Sequence, residues 1–233
     1  MNLNECLKQL SYGELSNLSW GNDGNGSIRL DKIPVIVQFI NEALLRLHTR
    51  FALSKKCLFI ELTENRTQYH ISSKHTYTNK DSKEEKFIRD TEENPYQDDL
   101  IKIMEVFTST NHRLSLNNHS DYWSLYTPSF DILQVPYPIE GMALSVIYQA
   151  RHPILDFEKC PEQEINLPFV LEPAMKAYVA YLVYSQMNTQ EAVANAQKYL
   201  AQYTNILQDV VNQDVISNSY SQTNTKFEQG GWI

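Results

Sequence analysis

Residues 19–31, SWGNDGNGSIRLD, come nearest to a ligand-binding loop, with three of the chain's seven glycines set among asparagine and aspartate. A calcium loop of the EF-hand type needs oxygen ligands at positions 1, 3 and 5, glycine at 6, an apolar residue at 8 and a bidentate glutamate at 12. With Gly26 at position 6, Asp23 and Asn25 fall at 3 and 5 and Ile28 at 8, but Gly21 stands at 1 and Lys32 at 12. Glycine offers no side-chain oxygen, and lysine puts a cation where the strongest anion belongs. The same stretch lacks the lysine of a phosphate loop and follows no strand. The expectation is therefore a bend that turns the chain into a helix capped by Asp31.

The other chemistry-bearing residues are scattered. The six histidines, His48, His70, His75, His112, His119 and His152, form no HExxH pair, and no serine sits in a GxSxG elbow. His48 is expected on a helix surface or at an interface, and His70 in solvent. Cys6, Cys57 and Cys160 are odd in number and form no CxxC pair, which argues against a disulfide framework or zinc site and for a reducing compartment. Cys57 reads as a small core residue at the start of a strand. The acidic run from Asp81 to Asp99 reads as a solvated loop; a hydrolase acting through Glu84, Glu85, Glu92 or Glu93 would need an acid–base pair that the sequence does not locate. The reading assigns no catalytic residue, no metal and no cofactor, and expects a protein that is not an enzyme.

Composition sets the frame for these residues. The 233-residue chain is 42% hydrophobic and 21% charged, the balance of a globular protein with room for a real core. Its net charge of −8 does not suit neutralising nucleic-acid phosphates. No apolar run approaches the ~20 residues that span a bilayer, and MNLNECLKQL lacks the pattern of a signal peptide, so no membrane is expected as a partner.

Hydrophobic spacing then gives the elements. Cys6, Leu7, Leu10 and Leu15 suggest a short helix within residues 2–18. Ile36, Phe39, Ile40, Ala43, Leu44, Leu47 and Phe51 recur at threes and fours, one stripe of a longer helix with Pro34 in its first turn. The period changes to two in KCLFIELT, with Leu58, Ile60 and Leu62 on one face, and in TQYHI, with Thr67, Tyr69 and Ile71; ENR between them reads as a hairpin turn. LIKIMEVF and RLSL form a second expected hairpin across TSTNH. FDILQVP and MALSVIYQA complete the strand-like material. Residues 74–99 read as a long, acidic, partly mobile surface loop.

Helix returns in EPAMKAYVAYLVYSQM, with Pro173 in the first turn, and in TQEAVANAQKYLAQYTNILQDVV. There Val193, Ala196, Leu200, Tyr203, Leu207 and Val210 make a heptad-like seam, Asn188 is the expected cap and Asp214 the expected end. Tyr178, Tyr181, Tyr184, Tyr199 and Tyr203 crowd these two helices, either as the rim of a helix pair or as contacts for neighbouring chains. The expected fold is α+β: a helical bundle core from residues 1–56 and 166–216, an inserted antiparallel β-rich region at 57–165, and an extended C-terminal tail at 217–233.

This arrangement resembles the head-to-tail adaptor, or tubular gatekeeper, proteins of tailed bacteriophages. The resemblance rests on IPVIVQFINEALLRLHTRF, on LIKIMEVFTSTNHRLSLN followed by TPSFDILQVPYP and LSVIYQARHPIL, on INLPFVLEPAMKAYVAYLVYSQM, and on the tail NTKFEQGGWI. It implies a structural virion protein at the capsid–tail junction, made in the host cytoplasm. It also implies a homo-oligomeric, dodecameric ring that docks beneath the portal protein and extends the channel towards a downstream tail or nozzle protein. DNA would pass through the lumen without sequence-specific binding, which an acidic wall favours. Phe227, Trp232 and Ile233 are the residues implied to dock on the portal or an adjacent subunit. The alternative is a non-enzymatic protein-binding module, an accessory or assembly factor.

Overall fold

The computed structural model describes residues 1–18, 28–159 and 163–216. The chain divides into two compact units, Met1–Leu167 and Pro168–Ile233. The glycine-rich bend at 19–27, Cys160 and the docking residues Phe227, Trp232 and Ile233 lie outside the described residues.

The first unit opens with α1 (Leu3–Tyr12) and α2 (Ile33–Arg50). Asn2 caps α1 by accepting the Glu5 amide at 2.7 Å, and Leu3, Cys6, Leu7 and Leu10 bury one face. All seven expected stripe residues of α2 are buried, and Pro34 stands in the first turn. The helix does not use Asp31 as its cap: Lys32 occupies that place with no side-chain capping bond, while Asp31 pairs with Arg29 at 3.1 Å.

Among the described residues eight strands follow: β1 (Lys55–Glu61), β2 (Gln68–His70), β3 (Ile88–Arg89), β4 (Leu100–Thr108), β5 (Arg113–Leu114), β6 (Tyr126–Ser129), β7 (Ile132–Gln134) and β8 (Ala143–Ala150). They form two antiparallel sheets, ordered β3-β1-β8-β4-β5 and β2-β7-β6. Leu58, Ile60, Val106, Leu144 and Val146 from the larger sheet and Tyr69 and Leu133 from the smaller share one buried core. The alternation in KCLFIELT places Leu58 and Ile60 in that core and leaves Phe59 outside.

The expected β4–β5 hairpin is present, with Val106 opposite Leu114 and Phe107 opposite Arg113. The expected β1–β2 hairpin is not. Leu62 donates its amide to the Met142 carbonyl, and the Thr67 carbonyl accepts from Val135, so residues 62–67 carry the chain from one sheet to the other. Alternation shows which face of a strand is buried; it does not name the strand beside it.

Residues 74–99 are less loop-like than their composition suggests. Phe87 and Ile88 are buried, and Ile88 pairs with Ile60 through β3. Carboxylates bind the rest of the segment to itself. Asp98, at φ +52°, accepts the Ser73 amide (2.7 Å) and hydroxyl (2.5 Å). Asp90 accepts from the Thr78 amide and hydroxyl and from the Tyr96 amide. An acidic run here supplies turn acceptors rather than only solvated charge.

The second unit contains α3 (Glu172–Ser185) and α4 (Gln190–Asn212), which pack as a helical hairpin. Pro173 lies in the first turn of α3, as its missing N–H allows. Thr189, not Asn188, caps α4, its hydroxyl accepting the Ala192 amide at 3.2 Å. Asp214 follows the helix end in the left-handed region, at φ +48°.

The expected helical bundle core is therefore corrected. The fold is α+β, 36% helical and 22% strand, with four helices and two antiparallel sheets among the described residues, and no bundle at its centre. The physical reason is that an amphipathic stripe requires cover but does not specify it. A sheet core, a polar backbone segment or another helix satisfies the same periodicity.

Candidate interaction surface

The clearest unpartnered chemistry in the first unit is aromatic. Tyr122 and Tyr137 stack at 4.5 Å between ring centroids, and Trp123 meets Tyr122 edge-on at 5.4 Å. All three are exposed, Trp123 by 58%, as is neighbouring Ile139. The loop that carries Tyr122 and Trp123 is held by short-range polar bonds. Asp121 accepts the Trp123 amide at 3.0 Å, the Ser124 hydroxyl accepts the Asn118 amide at 2.9 Å, and the Asn117 side chain bonds both the amide and the hydroxyl of Thr127. The rings are thus presented by a fixed backbone. Their hydroxyls interact as well: a bond to Tyr137 raises the Tyr122 phenol above its ordinary value.

Beside the rings opens an apolar crevice of about 60 Å³, lined by Leu62, Leu114, Leu125, Val135, Met142 and Leu144, with Trp123 and Tyr137 at its wall. A crevice of this size and lining takes an aliphatic group rather than a charged ligand. Rigid aromatic rings around it suit contact with a protein surface, being apolar in body and polar at the hydroxyl.

The second unit carries its own open surface. Of the expected seam on α4, Ala196, Tyr203, Leu207 and Val210 are buried, but Val193 and Leu200 remain exposed. Val211 is exposed too. Spacings of seven and eleven residues set Val193, Leu200 and Val211 along one side of the helix. The tyrosines, in contrast, are used inside the hairpin: Tyr178 meets Tyr203 at 5.0 Å, and Tyr184 stacks on Tyr199 at 5.6 Å. Between the two readings of their crowding, these contacts favour helix-to-helix packing.

The remaining candidates lie apart from these surfaces. Cys57 is exposed rather than in the core, its Sγ 3.0 Å from the Ser145 hydroxyl on the outer face of the large sheet. His70 is exposed, as expected. His48 is not on a surface: it is 2% exposed and sits edge-on to His152, ring centroids 5.6 Å apart. Ile40, Leu44 and His48 step by four, so the spacing placed His48 on the buried stripe and its polarity concealed it. Asp99 is buried, bonded by Lys56 Nζ at 2.5 Å and the Tyr148 hydroxyl at 3.0 Å; burial first, then the Asp99 charge, pushes the Tyr148 phenol up. Among the described residues no group of three or more His, Cys, Asp or Glu side chains is placed to hold a metal ion, and no helix is long and apolar enough to cross a membrane.

Comparison with protein-family models finds no match for this chain, and a search of curated proteins finds none.

Proposed function

We propose that the chain is a structural virion protein, a head-to-tail adaptor whose copies form a ring under the portal and extend the DNA channel towards the tail. The observation that carries this reading is the pair of unlike apolar surfaces. One is the Tyr122–Trp123–Tyr137–Ile139 cluster, and the other is the Val193–Leu200–Val211 line. A ring with cyclic symmetry is built from heterologous contacts, in which one surface of a subunit meets a different surface of the next. A chain presenting two unlike apolar surfaces is suited to that geometry. The sequence resemblance to phage adaptors supports the same reading independently. In it the chain acts by binding, without catalysis or a cofactor. Phe227, Trp232 and Ile233 dock on the portal or a neighbouring subunit, and a tail or nozzle protein attaches below.

Electron microscopy of the full chain mixed with the portal ring of its own virion tests the reading. A closed ring of fixed copy number stacked coaxially on the portal is the expected image. Deleting residues 218–233 should leave a folded protein that no longer attaches. A single copy bound off-axis would favour the accessory binding module instead. No binding, or unimpaired attachment of the truncated chain, overturns the ring or the docking role of the tail respectively.

A further inference from the structure

The strongest feature the reading above leaves unused is the buried histidine pair at the end of α2. His152 lies in a strap that follows β8 and whose described residues are 151–159 and 163–167. Both of its ring nitrogens are committed. Nδ1 lies 2.7 Å from the Pro153 carbonyl, and Nε2 lies 3.0 Å from the Asn166 amide. A carbonyl only accepts and an amide N–H only donates, so the ring must be neutral, with its proton on Nδ1 and its lone pair on Nε2. The Asn166 bond ties the two ends of the strap together.

His48 faces this ring from α2, with Nδ1 2.9 Å from the Leu44 carbonyl. The strap also holds other parts of the unit. Asn41 of α2 exchanges two 2.9 Å bonds with the backbone of Leu155. Leu3 donates to the Gln163 carbonyl and Ile165 to the Met1 carbonyl, which fastens the N-terminus and the start of α1.

We propose that His48 and His152 form an acid-operated latch: proton uptake by the pair breaks the His152–Asn166 bond and releases the strap, together with the N-terminal segment bound to it.

The groups bonded to the two rings are backbone carbonyls and a backbone N–H, none of which can take up a proton. From α2 come the Leu44 carbonyl and a last turn whose Arg50 lies over the Phe51 ring, 5.9 Å from its centroid. From β8 comes Gln149, an uncharged amide bonded to the His48 carbonyl. From the strap come the Pro153 carbonyl and the Asn166 amide. A charge on His152 would repel one on His48. Burial is the leading cause that holds both imidazoles below their ordinary value. A proton on His152 Nε2 would point at an N–H, a donor against a donor.

The open form therefore binds protons more readily than the closed form. Closure is fully supported above the ordinary imidazole value of 6.5 and is lost as pH falls below it. Each proton taken up only on opening raises the opening constant about tenfold per pH unit in that range.

Amide hydrogen exchange of the full chain by mass spectrometry, from about pH 8 to about pH 5 and corrected for intrinsic exchange, reads the latch directly. Protection of residues 151–159, 163–167 and 1–12 should fall about tenfold or more per pH unit below the imidazole range, while β1, β8 and α4 keep theirs. In the double variant His48→Gln, His152→Gln, whose amides cannot titrate, the acid loss should vanish. Flat protection of the strap in the unaltered chain, equal loss across strap and sheets, or an unchanged acid loss in the double variant each overturns the proposal. Should the double variant not fold, NMR titration of the two rings in the unaltered chain decides: both must titrate below 6.5. A midpoint at or above that value for either ring overturns the latch.

Discussion

In the α3–α4 unit the tyrosines face one another across two helices, and Tyr178, Tyr184 and Tyr203 are buried by that packing. In the sheet unit Tyr122, Trp123 and Tyr137 also touch, yet each remains about half exposed or more. The side-chain chemistry is nearly the same, and the difference lies in what stands opposite. Helical spacing brings rings from two helices onto one seam, where each completes the other's burial. A loop between strands has no opposing element, so its rings stay available. The first region holds itself together; the second has surface left over for a partner.

Five substitutions probe that contrast. The largest effect is expected from Tyr178→Ala. Removing a buried ring from the hairpin seam should cost about 3–5 kcal/mol in urea unfolding followed by far-UV circular dichroism. A loss below about 1 kcal/mol would mean that the tyrosines are not what joins the helices. Thr189→Ala deletes the hydroxyl that accepts the Ala192 amide and should cost about 1 kcal/mol in the same measurement. An equal effect from Asn188→Ala would restore Asn188 as the cap.

Trp123→Ala, in the exposed cluster, should change stability by no more than about 0.5 kcal/mol. It should nevertheless weaken assembly in sedimentation or mass photometry, because exposed aromatic anchors contribute to binding rather than to folding. A large stability loss without an assembly defect would make the cluster structural and reverse the contrast.

The smallest effect concerns Glu61, whose carboxylate accepts from the Tyr77 hydroxyl at 2.6 Å and pairs with Arg89. The Tyr77 bond chiefly, with Arg89 beside it, holds Glu61 below the usual carboxylate range. Its contribution is thus present above pH 4.5 and is lost as pH falls through the lower folded value. An NMR titration of Glu61 should show the depressed midpoint in the unaltered chain and a higher one, nearer the ordinary value, in Tyr77→Phe, where Arg89 still acts.

Much of the molecule was legible from residue spacing. The α2 stripe, the alternation of β1, the β4–β5 hairpin and the first-turn position of Pro173 all follow from local periodicity and backbone chemistry, which neighbours in sequence are sufficient to determine. The candidate surface was less legible. Tyr122 and Tyr137 are fifteen residues apart and stack only because the loop after β5 and the segment after β7 meet in space. No period connects them.

What the sequence determined by itself was which residues must leave water: the buried faces of α1, α2, β1, β4 and α4 are written in the order of apolar side chains. Only the tertiary structure decided what covers each face. It sent β2 to the second sheet, put the acidic segment 74–99 to use as internal acceptors, and brought His48 against His152. The reason is that hydrophobic burial is nearly indifferent to its partner, whereas a hydrogen bond or a ring contact requires particular atoms within a few ångströms. Those atoms come from positions far apart in the chain, and only the folded backbone joins them.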